Sequence, residues 1–134
     1  MQRDPLQVAH RWREQAEADL RYAHTNLSAK HYALVCFLSQ QAAEKAIKAI
    51  LHWRAGDFPR THLIADLVEE LRAHDPQLAE RLREAPALDA FYQSTRYPDA
   101  LDDAVPDRSF YDREARLALD RAQDVMALVV AELP

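Results

Sequence analysis

Glycine is almost missing from this chain of 134 residues, with Gly56 the only one. That scarcity argues against sheets joined by tight turns, which need glycine for left-handed backbone. It also excludes a glycine-rich phosphate loop. Cysteine occurs once, at Cys36, so there is no intrachain disulfide and no cysteine zinc site. No uninterrupted apolar run exceeds the seven residues of Tyr32–Leu38, too short to span a membrane. The first residues, MQRDPLQVAHRW, are charged where a signal peptide needs an apolar stretch. The expectation is a cytoplasmic protein with no membrane contact, folded as one domain over residues 1–134 and large enough for one core.

What is present favours helices. Hydrophobic residues make up 49% and charged residues 29% of the chain, a globular profile rich in Ala, Leu, Glu and Arg. The net charge is −5, unevenly spread. Residues 28–62 carry an excess of cations, and residues 63–134 hold eight Arg against sixteen acids. An acidic total disfavours indiscriminate binding to duplex nucleic acid. The local basic segment permits a small phosphate-bearing ligand or a short single strand, and equally an ordinary mixed-charge surface.

Periodicity divides the chain. Asp4-Pro5 has the pattern of a helix start, and Ala9, Trp12, Ala16, Leu20, Ala23 and Leu27 recur at spacings of three and four. This first helix should stop near Asn26. A second should run from about Ser28 to Arg54 and end at Gly56, with YALVCFL surrounded by other helices. Thr61 can cap a third helix that His74-Asp75-Pro76 terminates. A short segment broken at Pro86 follows and carries Leu88, Phe91 and Tyr92 to Arg96. After a loop at Asp99–Asp107, a last helix from about Arg108 to Leu133 places Tyr111, Ala115, Ala118, Ala122, Val125, Val129 and Leu133 on one face. The fold expected is all-α: an antiparallel up-and-down four-helix bundle with an extra short broken helix before the last long one.

The residues with chemical interest lie mainly on the second helix. Phe37, Gln40, Glu44, Ile47 and Leu51 form one inward stripe, which puts an amide and a carboxylate in the core. Each then needs a partner, either a structural one or a ligand. Gln41, Lys45, Lys48 and His52 form the neighbouring polar face, which is either solvated or able to hold a phosphate. Arg96-Tyr97-Pro98-Asp99 offers a guanidinium that could satisfy helix-end carbonyls or bind phosphate. In the second case Tyr97 would stack on a base and Asp99 would hold the arginine or a ribose hydroxyl. Metal chemistry has no support: neither Glu-x-x-His nor His-Glu-x-x-His occurs, and no cofactor is implied. Serine catalysis lacks its glycine elbow.

These pieces, in this order, resemble the HEPN domain family. The likeness rests on Trp12…Ala16-x-x-Asp19-Leu20-x-x-Ala23, on QQAAEKAIKA at 40–49, on Thr61-His62-x-Ile64-x-x-Leu67, and on RYPD at 96–99. The resemblance implies a homodimer acting with a separately encoded minimal nucleotidyltransferase, in a toxin–antitoxin-like pair. It also implies either a metal-independent ribonuclease using Arg-x(4–6)-His near the last helices or a nucleotide- or RNA-binding module. No histidine follows His74, so Arg96 has no downstream partner. Arg3 and His10 have the spacing formally, but at the wrong end of the chain. The expectation is therefore a non-catalytic module, with Lys45, Lys48 and Arg96 holding phosphate, Tyr97 contacting the base, and Gln41, Asp99 and His62 in support. Asp19, Gln40 and Glu44 are expected as a buried polar network. The alternatives are a divergent ribonuclease, which needs His62 brought to Arg96, and a module that only binds protein.

Overall fold

The computed structural model describes residues 3–134. Among them every regular element is a helix, without a strand. α1 spans Pro5–Ser28, with Pro5 at its first position and the Asp4 carboxylate accepting from the Leu6 amide at 3.1 Å. It runs past the expected stop at Asn26. Thr25, Asn26 and Ser28 turn their side chains back to the carbonyls of Arg21, Tyr22 and His24, which keeps these polar residues inside the helix. The reversal falls instead at Lys30, left-handed at φ 64°. α2 therefore starts at Tyr32 rather than Ser28 and continues to Ala55, where Gly56 closes it at φ 83°.

α2 is the central element, packed against α1, α3 and α6. Its most enclosed part is the stretch from Ser39 to Leu51, where only Gln41 and Lys45 are partly exposed, rather than YALVCFL, where Leu34 remains 42% exposed. α3 covers Ile64–Arg72 and α4 covers Pro76–Arg81, capped by Asp75 on the Leu78 amide. A 3-10 segment at Ala85–Ala90 leads into the single turn α5, Phe91–Ser94. Two 3-10 turns, Pro98–Ala100 and Pro106–Arg108, carry the chain to α6, Asp112–Glu132. The second of these turns uses up the residues at which the last helix was expected to begin. On α6 the expected apolar face is buried from Ala115 to Leu133, whereas Tyr111 lies outside the helix and exposed.

α1 and α2 form a hairpin. Arg54 at the end of α2 then meets both Asp75, after α3, and Glu132, at the end of α6. Alanines at 9, 16 and 23 on α1, 43 and 46 on α2, and 115, 118 and 122 on α6 are buried in one core, so small side chains line the approach of the three long helices.

Thr61 is not the cap of α3. Its hydroxyl donates to Asp66 and accepts from the Leu63 amide. The first amides of the helix, on Ile64 and Ala65, donate to the two carboxylate oxygens of Asp89 at 2.8 and 2.9 Å. A residue from the broken segment thus closes α3 from outside.

Candidate functional site

Glu44 sits on the enclosed stretch of α2, 2% exposed. One carboxylate oxygen, Oε2, accepts from Lys48 Nζ at 3.1 Å, one turn along the same helix. The other, Oε1, has no hydrogen-bond partner and lies 3.6 Å from His62 Nδ1. Lys48 is itself buried, its ammonium 5.4 Å from the ring centre of Trp12 and 5.3 Å from that of Phe58. An ammonium desolvated this far is held by its carboxylate and by the two ring faces.

Lys48 closes the inner end of a cavity of about 400 Å³ between α1, α2 and the segment 57–62. Trp12 and Phe58, packed edge to face at 5.1 Å, form its apolar wall. Arg60 and His62 stand at the rim with Asp57. The position of His62 is fixed through its backbone: its carbonyl accepts from Gln40 Nε2 at 3.0 Å, and Gln40 also reaches Asp89. The His62 ring stacks on Tyr92 at 5.4 Å and 14°. Gln41 donates to Gln40 Oε1 and so belongs to this scaffold.

Lys45 faces elsewhere. Its ammonium meets Asp19 at 2.6 Å, while Gln15 donates to the other Asp19 oxygen, so the pair ties α1 to α2. Asp19, Gln40 and Glu44 are all buried; Gln40 and Glu44 meet at His62, by its carbonyl and its ring, whereas Asp19 is held apart by Gln15 and Lys45.

Arg96 projects from the end of α5 and folds back. Nε and Nη2 donate to the Tyr92 carbonyl at 2.9 and 2.7 Å, and the guanidinium lies within 4.8 Å of the ring centres of Phe37, Tyr92 and Tyr97. It lines a groove of about 350 Å³ with Leu34, Phe37, Pro98 and Val105. Tyr97 and Asp99 are exposed beside it. The groove and the Lys48 cavity have no lining residue in common. Tyr92 is the bridge between them, with His62 against its ring and Arg96 against its ring and carbonyl.

Cys36 offers no nucleophile: burial, with Glu114 adding to it, pushes its thiol up to about 12. Among the described residues no group of three His, Cys, Asp or Glu side chains is placed to hold a metal ion. Four residues that matter here were not singled out as site residues in the sequence. Trp12 reads as one more position of the α1 stripe, and Asp89 as one more acid in an acidic half. Phe58 and Arg60 stand in the run that links Gly56 to His62, where a Phe-Pro-Arg-Thr-His sequence right after a helix stop was the available signal.

A model of the HEPN domain matches residues 9–133. The chain belongs to the HEPN family. Two solved structures resemble this HEPN chain along nearly its whole length. TT1696 from Thermus thermophilus is 40% identical, with a TM-score of 0.80, covering 93% of this chain and 98% of its own. ST0689, described as an archaeal HEPN homologue, is 30% identical with a TM-score of 0.74, and each chain covers 100% of the other. No curated protein matches the sequence. In this HEPN chain the last histidine is His74, so Arg96 has no histidine after it, and His62 reaches Tyr92 from the other end of the site.

Proposed function

We propose that this HEPN protein is a homodimeric, non-catalytic module that binds a nucleotide or an RNA end and acts beside a minimal nucleotidyltransferase in a toxin–antitoxin-like pair. The observation that carries the reading is the cavity with a cationic rim and an aromatic wall. Lys48 and Glu44 balance one another, whereas Arg60 makes no ion pair among the described residues and can offer its planar fork to a phosphate. His62 adds a donor at the rim, and Trp12 and Phe58 present ring surface to a base. Arg96 falls to the scaffold, because two of its donors serve the Tyr92 carbonyl, and Lys45 falls to the tie between α1 and α2. Committing Arg96 in this way also speaks against a divergent ribonuclease built on it and His62. The exposed Leu34, Tyr97 and Val105 around the Arg96 groove favour a second copy on that face.

Calorimetric titration with AMP, ATP and a short RNA at two salt concentrations tests the reading, with light scattering for the dimer. Binding should weaken as salt rises and fall about tenfold in Arg60→Ala, the loss expected for one charge-assisted contact. Arg96→Ala should leave affinity unchanged. If the folded protein binds none of the three ligands, the cavity is not a nucleotide site and the protein-interaction reading replaces this one.

A further inference from the structure

The Lys48 cavity is not isolated. Trp12 also lines a second, larger depression of about 610 Å³ on the outward face of α1. Its cationic lining is Arg3, Arg11 and Arg21, all exposed, and its single acid is Glu14. None of the three arginines makes an ion pair among the described residues, whereas Arg13, on another side of α1, is matched to Glu17. On a chain of net charge −5, an unpaired row of guanidinium groups adjoining a cation-rimmed aromatic cavity stands out from the mixed-charge surface. Arg11 and Arg21 are ten positions apart on a straight helix, about 15 Å along its axis. That spacing exceeds what one mononucleotide covers and suits phosphates two or more nucleotides apart on an extended strand.

We infer that the ligand is a single strand of several nucleotides, with one end nucleotide in the Lys48–Arg60–His62 cavity and its backbone continuing past Trp12 along the Arg3, Arg11 and Arg21 face of α1. The inference rests on the function proposed above and extends it from a point site to a track. A single strand fits better than a duplex because Trp12, at the junction, is useful only to a base free to stack on it. The arginines act on the backbone, so the track has no sequence preference of its own.

The test compares AMP with single-stranded RNAs of about four and about eight nucleotides, a duplex and inorganic polyphosphate, binding to the full chain. Affinity should climb with strand length. The double variant Arg11→Ala/Arg21→Ala removes two phosphate contacts, so its salt slope for the longest strand should be shallower by about 1.4, a loss of roughly 25-fold near 0.1 M salt. AMP binding should not move. Both positions are exposed on α1 and alanine is the best helix former, so an unchanged melting temperature is expected and checks the fold. Glu14→Lys should tighten strand binding and again leave AMP alone. If the longest strand binds no tighter than AMP, or the double variant weakens AMP equally, the track is wrong while the cavity reading stands. If duplex or polyphosphate binds as well as single strand, the assignment to an unpaired strand is overturned. If neither AMP nor RNA binds, the underlying function fails and the track with it.

Discussion

At Glu44 a buried carboxylate has Lys48 hydrogen-bonded to one oxygen and the exposed His62 ring 3.6 Å from the other. A buried pair of this kind adds little net stability, but removing one member leaves the other charge unpaired, typically at a cost of about 3–5 kcal/mol. Lys48→Ala should therefore destabilise strongly in denaturant titrations. Adding Glu44→Gln to it should recover most of the loss, since the charge left behind is then gone. If the single variant is no less stable than the double, the pair is not coupled in this way. The helical period alone put Gln40 and Glu44 in the core. What they touch was not legible, because His62 and Asp89 lie on segments that meet α2 only in the folded chain.

Helix boundaries tell a similar story at the level of elements. Where a helix end depends on its own neighbours, the sequence shows it: Asp4-Pro5, Asp75-Pro76 and Gly56 all stand where local rules put them. The start of α3 depends on Asp89, which comes from another segment, and Thr61, the natural local candidate, bonds elsewhere. Asp89→Ala removes acceptors from two helix amides and from Gln40, so a loss of about 2 kcal/mol is expected, at the upper end for a cap. Thr61→Ala should cost a few tenths of that. Urea midpoints of the two variants check the order, and equal losses would return the cap to Thr61. RYPD belongs to this scale too. Its arginine closes the end of α5 on the Tyr92 carbonyl, one of the two roles that its position near a helix end allowed.

For the molecule as a whole, the same close packing that builds the core sets how it responds to alkali. Cys36 is wholly enclosed, and its thiol is pushed up from 9.0 to about 12 by burial and then by Glu114. The unfolded chain loses this proton near pH 9 and the folded chain keeps it to about 12. The stability that goes with the neutral thiol is complete below pH 9 and disappears as pH climbs from 9 to about 12. Urea titrations across that range should show the decline, and Cys36→Ala should flatten it. An alkylating reagent should label Cys36 only once the bundle opens.

The chain path also sets an order in time. α1 and α2 are neighbours along the chain, joined by three residues through Lys30, so their contact closes a short loop and can form early. The Asp89 cap draws together Gln40, the start of α3 and a carboxylate 49 residues beyond Gln40, and it cannot form until the broken segment has climbed back along α2. On these grounds the hairpin should form first and the contacts that hold His62 later, an order that φ-values high along α1 and α2 and low at Gln40 and Asp89 would show. The 57–62 wall of the pocket, held by those later contacts, is then the part that a brief, partial opening of the native bundle should release first.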